Sequence, residues 1–93
     1  MDASGILVVH APNPDVAEHG LEVSLGTRAK DWRMLPPVKE AKGMSRINVL
    51  VRLAKDEDPV ELLGEIEERW SAYIAAAEYI PHRVRKDDDN DED

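Results

Sequence analysis

Three histidines, four serines and twenty acids are the groups in this 93-residue chain from which chemistry could be built. His10, His19 and His82 are scattered, and no pair has the i,i+4 spacing that sets two imidazoles on one helix face for zinc. Ser4, Ser24, Ser45 and Ser71 lie in no nucleophile-elbow context, and no glycine-rich phosphate loop is present. The acidic run over 87–93 lacks the central glycine and terminal glutamate of a calcium loop. The absence of cysteine excludes disulfides, thiolate metal sites and a cysteine nucleophile. The expectation is a non-enzymatic chain with no catalytic residues, cofactor or metal.

Charge is the remaining chemistry, and it is divided along the chain. Residues 1–27 carry four acids and no Lys or Arg, 28–55 carry eight bases against Asp31 and Glu40, and 56–93 carry fourteen acids against four bases. A net charge of −8 therefore hides a basic middle. Such asymmetry bears on partners and solubility rather than on fold. Phosphate binding needs Lys and Arg gathered on one surface, and single strands additionally stack bases on aromatic faces. Arg28, Lys30, Trp32, Arg33, Arg46 and Arg52 are the candidates for both. Glu61, Glu65 and Glu68 form an acidic helix face, with Tyr79 placed on the same side as an aromatic contact for a protein partner. The acids from Asp56 to Glu68, together with the tail, could also imitate a phosphate array offered to a basic protein.

The elements that must position these groups follow from periodicity. Ile6-Leu7-Val8-Val9 is a continuous β-prone run between Gly5 and Pro12, which suits a central strand buried on both faces. Asn13-Pro14 supplies a cap and a first-turn proline, with Gly20 as a stop, so a short helix or a loop is expected over 14–19. Leu21, Val23 and Leu25 alternate with polar residues as a half-buried strand. Trp32 and Met34 alternate with Asp31 and Arg33 as a short edge strand. Ile47, Val49, Val51 and Leu53 form the clearest period-2 pattern, with a largely basic opposite face.

The longest expected element is a helix. Asp58-Pro59-Val60-Glu61 supplies a cap, a first-turn proline and an acid at N3, and Pro81 ends the segment. Between them Leu63, Ile66, Trp70, Tyr73, Ala77 and Ile80 follow 3,4 spacing, a broad apolar stripe suited to covering a sheet. The same seam would serve paired helices if the domain dimerised. Residues 87–93 contain six acids and one Asn and are expected to be a disordered tail.

The chain is thus expected to be one α+β domain over 1–86. It comprises a three- or four-stranded, mostly antiparallel sheet covered on one face by one long helix at about 59–80, followed by the acidic tail. No stretch approaches the ~20 apolar residues of a membrane span, and no Lys or Arg precedes the first apolar run, so a cytoplasmic protein is expected. The functional expectation is a small adaptor or inhibitor that docks on another protein, as a homodimer. Its contact surface is either the Glu face of the helix with Tyr79 or the basic sheet face with Trp32. The alternative is a single-stranded nucleic-acid binder using the basic middle, with the acidic tail as competitor; the third reading is the acidic mimic that blocks a basic target.

Overall fold

A computed structural model describes residues 3–82. In chain order the elements are β1 (Ala3–Ala11), α1 (Pro14–Arg28), β2 (Ala29–Met34), β3 (Val38–Lys39), a 3-10 turn (Ala41–Gly43), β4 (Ser45–Leu53), α2 (Pro59–Arg69) and β5 (Ala76–Pro81). The sheet order is β2-β4-β1-β5, with the two-residue β3 also paired to β4, and every pairing is antiparallel. Each helix links two strands separated by a third, so β1-α1-β2 and β4-α2-β5 are two split βαβ units, the ferredoxin-like arrangement. No helix among the described residues is long and apolar enough to cross a membrane.

The period-2 reading of 46–53 corresponds to β4, whose Ile47, Val49, Val51 and Leu53 are buried. Leu7, Val9 and Ala11 of β1 lie on the same side, beneath Ala17, Leu21 and Leu25 of α1 and Leu62 and Ile66 of α2. Both helices therefore cover one face. The expectation that β1 is buried on both faces is corrected. It is central, but Ile6 projects from the uncovered side and is partly exposed.

The α+β class holds, while among the described residues five strands and two helices replace the expected three or four strands and one long helix. Asn13 caps α1 by accepting from the backbone N–H of Asp15 and Val16, but the helix continues through Gly20 to Arg28. Leu21 and Leu25 are neighbours on its buried face at i,i+4 spacing, and Val23 is exposed; the alternation that imitates a strand is a helical stripe. Gly20 is no stop signal here. The Trp70 indole packs against it, and a Cβ would fall 2.8 Å from Trp70 Cδ2.

Helix α2 begins as expected, with Asp58 accepting from Val60 N–H at 2.9 Å, but ends at Arg69. The following residues turn on the Trp70 carbonyl, which accepts from Tyr73 and Ile74, and Ala75 N–H is captured by the His10 carbonyl. Residues 76–81 then pair with β1 from His10 to Gly5. A helix running to residue 80 would leave that edge of β1 without a partner. Strand pairing satisfies those backbone groups and overrides the helical propensity of Ala72, Ala75, Ala76 and Ala77. The expected acidic tail over 87–93, and the bases Arg83, Arg85 and Lys86 before it, lie outside the described residues.

Candidate functional site

The strand registers place four rows of side chains across the uncovered face of the sheet. Asp31, Arg52, Ser4 and His82 form the first; Arg33, Leu50, Ile6 and Ile80 the second; Leu35, Asn48, Val8 and Glu78 the third; Val38, Arg46, His10 and Ala76 the fourth. The second row is mostly aliphatic and open to solvent: Leu50 is 40% exposed, Ile6 36% and Ile80 47%, beside Val8 at 7%. These apolar side chains are grouped on a face that no described element covers, the kind of surface that interactions use. A hollow of about 410 Å³ opens on this face, lined by Ser4, Ile6, Asp31, Arg33, Leu50 and Arg52 among others.

The rim is charged and unevenly so. Arg33, Arg46 and Arg52 stand on the β2 and β4 side, whereas Glu78 stands on β5. The Arg52 guanidinium lies 4.0 Å from Asp31, both well exposed, a pairing that contributes little to stability. At the far end the Glu40 carboxylate meets His10 Nδ1 at 2.7 Å and accepts from Arg46 Nη1 at 3.2 Å, which ties the segment after β3 to the sheet.

The six residues expected to bind nucleic acid are divided by this geometry. Arg33, Arg46 and Arg52 share the open face. Trp32 points to the opposite side and packs against the core beside Met34, so it offers no ring to a ligand on that face. Arg28 ends α1 and binds both Glu57 and Glu65 around α2, while Lys30 occupies the irregularity between Ala29 and Asp31.

The acidic set is divided as well. Glu61 and Glu68 are exposed on α2. Glu65 is engaged by Arg28 and lies 3.6 Å from Arg69. Its carboxyl is held below its ordinary pKa, first by the Arg28 hydrogen bond and further by the Ser24 hydroxyl and Arg69. Tyr79 is not on the helix at all. It lies on β5, opposite Leu7, packed against the core over Gly5, with its hydroxyl buried and without a hydrogen-bond partner among the described residues. That burial raises the phenol pKa.

Leu50, Ile6, Val8 and Ile80 are absent from both candidate sets. Their signal is present in β4, where Leu50 interrupts the polar side of an otherwise regular alternation. Ile80 and Ile6 give none, because their orientation depends on β5 being a strand and on both helices choosing the other face. Among the described residues no three His, Asp or Glu side chains are placed to hold a metal ion. No protein-family model matches the chain, and no characterised protein is significantly similar to it in sequence.

Proposed function

We propose that this chain is a non-enzymatic docking module, an adaptor or inhibitor, whose open sheet face takes a protein partner. The observation that carries the reading is the exposed apolar row Leu50, Ile6 and Ile80 around Val8, rimmed by Arg33, Arg52, Asp31 and Glu78. An apolar centre with a polar rim is the anatomy of a protein interface. The Glu face of α2 is the weaker candidate surface, since Glu65 is committed to Arg28 and Tyr79 lies elsewhere.

A single-stranded nucleic acid is the second reading, supported by Arg33, Arg46 and Arg52 on the same face. It lacks an aromatic platform there, because Trp32 is turned towards the helices. A photo-crosslinking residue at position 50, compared with one at the exposed Val60 on α2, separates the two. Protein adducts from position 50 that disappear when Ile80→Asp is added support docking. Equal adducts from both positions, or oligonucleotide adducts alone, overturn it.

A further inference from the structure

We infer that the open sheet face pairs with a second copy of this chain, the two sheets packing face to face about a two-fold axis parallel to the strands and running between β4 and β1. The inference rests on the docking reading and names its partner. Its ground is self-complementarity, which a two-fold interface requires because the same patch serves both sides.

With that axis, β4 faces β1 of the second copy, β2 faces β5, and each row meets its own counterpart. Leu50 then covers Ile6 of the second copy, and Ile6 covers its Leu50. Arg33 lies over Ile80 of the second copy. Glu78 of that strand is two residues away, roughly 7 Å along the strand, within reach of a guanidinium whose stem lies on the isoleucine. Asp31 meets His82 of the second copy in the first row. In the fourth row Arg46 meets His10, and each is already engaged by its own Glu40. The hollow beside Arg33 and Leu50 faces β5 of the second copy, whose most exposed face residue, Ile80, is the projection available to enter it.

The parallel axis leaves Leu35 over Glu78 and Asn48 over Val8 of the second copy in the third row, and the other in-plane axis, perpendicular to the strands, matches worse. It sets Arg52 against Arg46, Leu50 against Asn48 and Ile80 against Glu78. Four strands at ~4.8 Å spacing and four rows at ~7 Å cover roughly 500 Å² in projection. Side-chain relief enlarges this towards the ~800 Å² per partner of a standard interface. A dissociation constant on the order of tens of micromolar is expected.

Sedimentation equilibrium of the full chain from 1 µM to 500 µM, roughly bracketing that affinity, tests this. The expected result is a monomer–dimer equilibrium that Ile80→Asp weakens at least ~100-fold with an unchanged circular dichroism spectrum. Arg33→Glu and Glu78→Arg should each weaken it about tenfold. An equimolar mixture of those two variants should restore it, because both Arg–Glu contacts are re-formed in the mixed dimer. A wild-type monomer throughout, or a dimer indifferent to Ile80→Asp, overturns self-pairing; failure of the mixture to recover overturns the orientation. A monomer whose position 50 still crosslinks to a different protein would defeat the second copy while leaving docking intact. Absence of protein adducts from a monomer would defeat both.

Discussion

The indole N–H of Trp70 donates to the Ser24 hydroxyl at 2.9 Å, joining the end of α2 to the middle of α1. Ser24 is fully buried and Gly20, one turn earlier, leaves room for the ring. The three residues form one unit: the glycine admits the indole, the indole binds the serine, and the chain can turn away into β5. Trp70→Phe should cost about 1–3 kcal/mol in urea unfolding, because it removes the donor from a buried hydroxyl. Gly20→Ala should cost about 1–3 kcal/mol by displacing the ring, despite the better helix propensity of alanine.

Core and face residues should respond differently to truncation. Ile66 is completely buried beneath α2, and Ile66→Ala should cost about 2–5 kcal/mol. Ile80 on the open face is nearly half exposed, and Ile80→Ser should cost no more than about 1 kcal/mol at concentrations that favour the single chain. Denaturant midpoints of dilute samples check both values. Equal losses would mean that the open face supports the fold itself.

Tyr79 buries a hydroxyl that has no hydrogen-bond partner among the described residues. Tyr79→Phe should leave stability unchanged or raise it by about 1–2 kcal/mol, since the desolvated group is removed with little change of shape. The phenol ionises above its ordinary value of 10.0, so alkaline absorbance titration should contain a late component that the substitution abolishes. A loss of stability would mean that the hydroxyl has a partner in solution.

Glu65 contributes through its charge. Its folded pKa lies below the ordinary value of 4.5, chiefly because it accepts a hydrogen bond from Arg28. The folded state therefore binds the proton less readily than the unfolded chain. The stabilisation is present above 4.5 and declines as pH falls through the depressed folded value. Thermal midpoints of the wild type and Glu65→Gln should differ by a few degrees at pH 7 and converge under acid. A constant difference across that range would assign the effect to packing.

Much of the strand framework was legible because β4 and β2 carry their burial in local alternation, and because Asn13-Pro14 and Asp58-Pro59 mark two helix starts. Helix ends were not legible. Gly20 breaks helices in isolation but here accommodates Trp70, and 71–80 has helical composition yet 71–75 turn and 76–81 pair with β1, whose open edge lies more than sixty residues earlier in the chain. The site suffered from the same non-locality. Arg33, Arg46 and Arg52 were recognisable as bases, and the topology brings them to one face. Trp32 and Tyr79 pack against the core rather than a surface, and Ile80 lies on the open face of β5 rather than on a helical stripe.

The most direct test of the open face is a methyl NMR dilution series of the full chain between about 10 µM and 1 mM, a span chosen around self-association on the order of tens of micromolar. The account predicts that the methyl resonances of Ile6, Leu50 and Ile80 move together with concentration, while those of Leu62, Ile66 and the helix-surface Val60 stay fixed. Face resonances that do not move, or changes centred on Val60 and Val16, would contradict pairing through this face.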